Sequence, residues 1–295
     1  MPEATAAVLG TGRMGAAMAE RLASQGVAVV VYNRSRGRAA ALAERIGAIV
    51  ASSPAEAAAR ADVTISMVAD AKAVRALFEG PDGVAAGIRP GSVAVDCSTV
   101  LPHTIRSVAG AVRARGAGIL DGPVSGSVAS TLSGELTIMA GGDAADLERA
   151  RPILACLSRR IFHVGDLGTG AAMKLAVNTV IFGLNGAVAE SLVLAERNGI
   201  DRALAYEILA ASAVGAPYVA YKRAAFLDPE TTPVAFSLAL AEKDLRLIRA
   251  LAGVSGPSMP QAAVNLEIIR SAERSVGDDA DFSAVASHLR EEGRG

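Results

Sequence analysis

Lys174 and Asn178 stand four residues apart in Ala171-Ala172-Met173-Lys174-Leu175-Ala176-Val177-Asn178, a stretch whose other members are all apolar. On a helix that spacing puts both side chains on one face, one turn apart. A cation on such a face is either desolvated or turned toward a polar cleft. Desolvation lowers the pKa of an ammonium and makes it a usable proton donor and acceptor. The competing reading is a lysine whose stem covers apolar surface while its head reaches water. A second group is Ser125-Gly126-Ser127, which follows Asp121-Gly122-Pro123-Val124. Its bare backbone N–H groups and two hydroxyls suit a carboxylate, although the same residues also make ordinary surface turns. A third is Gly10-Thr11-Gly12-Arg13-Met14-Gly15, a spacing that suits a pyrophosphate.

These groups need elements to position them. Residues 4–9 form a short apolar run, the glycine turn follows, and Ala16, Met18, Ala19, Leu22 and Ala23 recur at helical spacing up to Gly26. Val27–Tyr32 is a β-branched run, predicted as the next strand. Strand, glycine turn, helix and strand in that order form the setting in which G-x-G-x-x-G binds a dinucleotide. Gly10 permits the turn, Gly12 lets the backbone approach the pyrophosphate, and Gly15 lets helix and strand pack closely. After the second strand come Asn33, Arg34 and Ser35 rather than an acidic residue. A carboxylate there would bind a ribose 2′-hydroxyl and repel a 2′-phosphate, whereas a guanidinium pairs with the phosphate. NADP(H) is therefore expected over NAD(H). The strand at Asp62–Val68 should bring Met67 and Val68 to the cofactor, because ligands bind at the carboxyl ends of such strands. Ser98 and Thr99 end a further strand. They suit contacts to the nicotinamide or substrate, or equally a cap for the helix beginning at Pro102.

The totals bound the rest. The chain has 295 residues, enough for two domains, and 51% of them are apolar, enough for large cores. Lys and Arg number 29 against 30 Asp and Glu, which gives no electrostatic case for nucleic acid or an anionic membrane. No long uninterrupted apolar run and no leader pattern is seen, so a cytoplasmic protein without a membrane span is expected. Two cysteines and three scattered histidines form no framework and no metal-ligand cluster, so no metal is expected. The strand–helix alternation stops near residue 164, and helical patterns follow. The expected fold is an α/β Rossmann N-terminal domain over residues 1–164, then an all-α C-terminal domain over 165–295 with a long interdomain helix running from Ala171 to about Arg197. Gly183 and Gly186 in that helix would admit a close neighbour. Phe236–Leu251 reads as one amphipathic helix carrying Lys243 and Asp244. The apolar surface of the helical part suits a homodimer or homotetramer.

Four motifs in order resemble the β-hydroxyacid dehydrogenase family, the group of 3-hydroxyisobutyrate dehydrogenase. They are Gly10-x-Gly12-x-Met14-Gly15; Gly122-Pro123-Val124-Ser125-Gly126; Gly165-x-x-Gly168-x-Gly170-x-x-x-Lys174-x-x-x-Asn178; and Lys243-Asp244-Leu245. The resemblance covers essentially the whole chain. It implies hydride transfer between a nicotinamide and a small carboxylate-bearing hydroxy acid or semialdehyde, with Lys174 as general acid/base. It implies that Ser125, Gly126 and Asn178 hold the substrate and that Thr99 and Lys243 lie near the nicotinamide. Phe236 and Asp244 match cleft positions of the glyoxylate and succinic semialdehyde reductase branch. Ser127 replaces a glycine usual in 3-hydroxyisobutyrate dehydrogenases, and Asn33-Arg34 replaces their usual aspartate. Val177 stands where decarboxylating phosphogluconate dehydrogenases carry a histidine. Imine reductases share the fold but generally lack the lysine. Non-catalytic relatives that bind NADP tend to lose it too.

Overall fold

The computed structural model describes residues 4–292. Its chain forms two compact units, which divide between Lys174 and Leu175. The first contains β1 (Thr5–Leu9), α1 (Arg13–Ser24), β2 (Ala28–Tyr32), α2 (Arg36–Ile46), β3 (Ile49–Val50), α3 (Pro54–Ala59), β4 (Val63–Ser66), α4 (Ala71–Phe78), α5 (Val84–Gly87) and β5 (Val93–Asp96). It continues with α6 (Pro102–Arg113), β6 (Gly118–Asp121), β7 (Val124–Ser125), α7 (Val128–Ser133), β8 (Leu136–Gly142), α8 (Ala144–Leu157) and β9 (Ser158–Gly165). Then α9 (Thr169–Arg197) carries the chain into the second unit. That unit adds α10 (Arg202–Ala211), α11 (Pro217–Leu227), α12 (Leu238–Ser255), α13 (Pro260–Val276), a 3₁₀ turn at Phe282–Ala284 and α14 (Val285–Glu292). A Rossmann-type α/β domain followed by a helical one is the architecture expected from the sequence.

The sheet runs β3-β2-β1-β4-β5-β6-β8-β7, with β9 on β8. The first six strands are parallel, and β8 is antiparallel to β6 and β7. Because β1 pairs with both β2 and β4, the strand order reverses beside β1, where such sheets open a ligand crevice. Side chains alternate across each strand, so β1 feeds two cores. Ala6 and Val8 join Met18, Leu22, Ile65 and Val95 on one face. Ala7 and Leu9 join Phe78, Ala94 and Ile105 on the other. Burial on both faces explains why these strands read as continuous apolar runs.

In the helical unit the most deeply buried ion pair is Lys222 with Asp281, at 2.6 Å and with side chains 1% and 8% exposed. The Lys222 ammonium also lies 4.5 Å from the centroid of Phe282. Burial pushes the Asp281 carboxyl up, but Lys222 and hydrogen bonds from Ser283 outweigh it and hold the acid ionised. Removing one member of such a pair costs about 3–5 kcal/mol. Asp281 also accepts from the backbone N–H groups of Ala235 (3.0 Å) and Phe236 (3.2 Å), which fixes the segment before α12.

One expected boundary changes, and two features of α9 are added. The helix predicted from Phe236 begins at Leu238, because Ser237 caps it and bridges to Asp281, leaving Phe236 in a bend ahead of the helix. A neighbour does pass Gly183 and Gly186, namely α13. However, a Cβ at either position would sit 3.8 Å from Gln261 or 3.5 Å from Asn265, so the glycines are not sterically required. Finally, α9 is long and apolar enough to cross a bilayer, with a mean hydropathy of 1.5. Single polar residues interrupt its apolar run. Two of these, Asn178 and Asn185, are buried and hydrogen-bonded within the helical unit.

Candidate active site

The glycine turn is dictated by contacts. Gly10 has φ +96°, and a Cβ there would lie 2.3 Å from the Met67 carbonyl oxygen. A Cβ on Gly15 would lie 1.9 Å from the Gly10 oxygen. Both positions therefore exclude every other residue. Gly12 differs, since no protein atom lies within 4 Å of where its Cβ would be. Gly12 is also the N-cap of α1, and it offers no side chain to the N–H groups of a first turn that carries no acidic residue. The positive end of α1 thus faces open space. Thr11 is buried, and its Oγ1 has no hydrogen-bond partner in the protein. An uncapped helix end, a bare glycine and an unsatisfied hydroxyl together fit a pyrophosphate.

Asn33 follows β2 and makes two hydrogen bonds within the protein. Its Oδ1 accepts from Thr11 N at 3.2 Å, and its Nδ2 donates to the Ser35 carbonyl at 3.1 Å. Asn33 therefore ties the glycine turn to the loop bearing Arg34, which is exposed.

Met67, Val68 and Thr99 lie just beyond the carboxyl ends of β4 and β5. The Val68 backbone is held through Ser98 by two residues to which the sequence assigned no role, Asp96 and Ser66. Asp96 Oδ1 accepts from Ser66 Oγ at 2.6 Å and from Ser98 Oγ at 2.7 Å. Ser98 Oγ in turn accepts from Val68 N at 3.0 Å. This serine is thus neither a helix cap nor a free ligand; α6 is preceded by Leu101, which makes no side-chain cap. Burial pushes the Asp96 carboxyl up to about 6, against the hydrogen bonds from the two serines. The signal was present in Asp96-Cys97-Ser98-Thr99, but the partner Ser66 lies thirty residues away.

Ser125 ends β7, and Gly126 has φ +144°. A Cβ on Gly126 would meet Leu136 at 2.7 Å. Ser127 is the N-cap of α7, with its Oγ accepting from Ser130 N at 3.2 Å. One of the two hydroxyls assigned to a carboxylate is therefore already engaged within the fold.

Lys174, half-buried, stands in the second turn of α9. In the helical unit, Asn178 Nδ2 donates to Asp244 Oδ2 at 2.8 Å. Lys243 Nζ lies 2.9 Å from Asp244 Oδ1. The structure thus joins three predicted residues, Asn178, Lys243 and Asp244, into one cluster in which Asn178 and Asp244 are buried and Lys243 is partly exposed. Phe236 packs against Phe282 (5.4 Å between centroids) and Phe182 (6.3 Å). No group of three or more potential metal-ligating side chains occurs among the described residues.

Comparison with known proteins bears on the fold and family of the chain. A model of the NAD-binding domain of 6-phosphogluconate dehydrogenase matches residues 5–165. A model of the NAD-binding region of NADP-dependent 3-hydroxyisobutyrate dehydrogenase matches residues 168–289. Glyoxylate/succinic semialdehyde reductase 1 of Arabidopsis thaliana is 37% identical over 283 residues, spanning 96% of this chain and 97% of the relative. The NAD-dependent L-serine dehydrogenase of Pseudomonas aeruginosa is 34% identical over 285 residues, spanning 95% of each. A structure of Mycobacterium tuberculosis 3-hydroxyisobutyrate dehydrogenase with L-serine superimposes with a TM-score of 0.83 at 32% identity, covering 97% of this chain and 99% of that one.

Proposed function

This chain belongs to the 3-hydroxyisobutyrate dehydrogenase family of NAD(P)-dependent oxidoreductases, and we propose that it interconverts a small hydroxy acid and its semialdehyde or oxo acid, preferring NADP(H). The observation that carries this reading is the pairing of an uncapped, glycine-lined α1 terminus with a lysine in the second turn of α9. The residues that would hold the cofactor are the turn Gly10, Thr11, Gly12, Arg13, Met14 and Gly15, the loop Asn33–Ser35, and Met67, Val68 and Thr99, with Lys243 beside the nicotinamide. When bound, the reduced nicotinamide supplies the hydride that the carbonyl carbon accepts.

The chain's own groups do the rest. Backbone N–H groups at Ser125–Ser127, with the Ser125 hydroxyl, bind the substrate carboxylate and so fix where the carbonyl stands; holding reactants in place is worth up to about 7–11 kcal/mol. Lys174 donates a proton to the carbonyl oxygen during reduction and takes it back during oxidation. Asn178, held by Asp244, orients that oxygen or the lysine. Phe236, held by the Asp281 anchor, limits the size of the substrate. The absence of an acidic residue after β2, with Arg34 exposed in its place, supports NADP(H). The relative that is NAD-dependent makes this choice a point to test. Exposed apolar residues on α9 and α10, including Val180 (69%), Leu194 (67%) and Ile208 (56%), support assembly with further copies of the chain through the helical unit. Lys174→Ala tests the mechanism. Turnover should be lost while NADPH fluorescence still reports binding, and retained turnover would remove Lys174 from the reaction.

A further inference from the structure

We propose that Asp121 and Arg106 are positioning residues for Lys174, gripping the start of α9 so that its second turn is held in fixed register with the cofactor edge of the sheet. The inference rests on Lys174 being the acid/base.

A helix of 29 residues begins with backbone N–H groups that have no partner inside the helix. Six other helices satisfy theirs locally, with side-chain caps from Ser53, Asp70, Ser127, Asp143, Asp201 and Ser237. The α9 terminus is served differently. Gly168 N donates to Asp121 Oδ1 at 2.7 Å, and Ala171 N donates to Asp121 Oδ2 at 2.6 Å. Asp121 is the last residue of β6, is 1% exposed, and lies 47 and 50 residues earlier in the chain. Gly168, the residue before the helix, has no side chain to cap it, and the Thr169 hydroxyl donates outward to the Asp166 carbonyl at 2.7 Å. A local cap stabilises a helix but leaves its direction free. A cap supplied by a central strand also fixes where the helix starts relative to the sheet.

The glycines of Gly165-x-x-Gly168-x-Gly170 acquire a reason from this seat. A Cβ on Gly170 would lie 2.2 Å from the Met139 oxygen and 2.9 Å from Asp121 Oδ2. A Cβ on Gly141, in the neighbouring strand, would lie 2.5 Å from Asp121 Oδ1 and 2.9 Å from Gly170 N. The backbone thus approaches so closely that no side chain fits between helix and carboxylate. From the other side, Arg106 on α6 donates its Nε to the Leu167 carbonyl at 2.8 Å. A Cβ on Gly168, whose φ is +95°, would strike that same guanidinium nitrogen at 2.8 Å. Lys174 follows Ala171 by three residues, about 4.5 Å along the axis. In the strand register Asp121 faces Asp96, the carboxylate that organises Val68. Neighbouring carboxylates on adjacent strands therefore hold the nicotinamide-side loop and the acid/base helix to one edge.

Asp121→Asn keeps the shape and one acceptor but turns an N–H toward a backbone N–H. It should lower kcat about 10–100-fold, the scale of a small misplacement of a reacting group. The Kd for NADPH should stay within about two-fold, since the glycine turn is untouched. In a Lys174→Ala background the same change should leave the residual single-turnover rate alone, because two residues acting through one group are not additive. A merely structural role would lower the rate in both backgrounds and would overturn the proposal, as would an unchanged kcat in the single variant. If Asp121→Asn does not fold, Arg106→Met decides. A several-fold fall in kcat at unchanged NADPH affinity supports the grip, and an unchanged kcat overturns it. Full turnover by Lys174→Ala would instead remove the reading of Lys174, a separate failure seen in a separate variant.

Discussion

The Asn178 amide donates to Asp244 Oδ2 at 2.8 Å in the interior of the helical unit. Two residues chosen for substrate contact are thus partners of one another, with Lys243 on the other carboxylate oxygen. Hydrogen bonds to a charged group are worth about 1.5–3 kcal/mol. Asn178→Ala and Asp244→Asn should each lower kcat/KM by about 10–100-fold, and the double variant should fall no further than the worse single one. Steady-state kinetics on the three variants checks this; losses that simply multiply would mean independent roles.

The proposed preference for NADP(H) rests on Arg34. Arg34→Asp exchanges a cation for an anion at the loop proposed to read the 2′-phosphate. The kcat/KM ratio for NADPH over NADH should drop by at least about 10-fold, the effect of one charge-assisted hydrogen bond. An unmoved ratio would mean that the 2′-phosphate is not read at this loop.

Asp96 imposes a pH dependence on stability. Burial raises its carboxyl from 3.8 to about 6 in the folded protein. Between those values the unfolded chain has lost the proton that the native state keeps, so stability falls as pH rises through the window. The contribution amounts to about 3 kcal/mol. Denaturant unfolding of wild type and Asp96→Asn at pH 4 and pH 7 should show the variant gaining by about that amount relative to wild type at the higher pH. Parallel profiles would mean that Asp96 titrates normally.

What the sequence disclosed follows the range of each interaction. Gly10-x-Gly12-x-x-Gly15 was legible because turn, helix and strand are consecutive, and periodicity marks each of them. Lys174 and Asn178 were legible because one helical turn links them. Asp121 was quoted within its motif yet given no role, because its partners Gly168 and Ala171 are reached only through the fold. Ser66 beneath Asp96 and Asp281 behind Phe236 are the same case, whereas Asp244 was named from its motif and only its pairing with Asn178 waited for the fold. Sequence pattern found the groups that suit chemistry, whereas the residues that hold those groups became visible only when distant segments met. Ser127 shows the converse, since a residue type suited to an anion also suits a helix cap.

The proposed reaction is NADPH-dependent reduction of a small carboxylate-bearing carbonyl compound with Lys174 as proton donor. The most direct test is NADPH oxidation by the wild type and Lys174→Ala against glyoxylate, succinic semialdehyde, tartronate semialdehyde, methylmalonate semialdehyde and a cyclic imine, each repeated with NADH. The wild type should turn over at least one of the acids, faster with NADPH, and the variant none. Silence on every acid with turnover of the imine would contradict it, and would return Ser125 and Asn178 from substrate binding to packing.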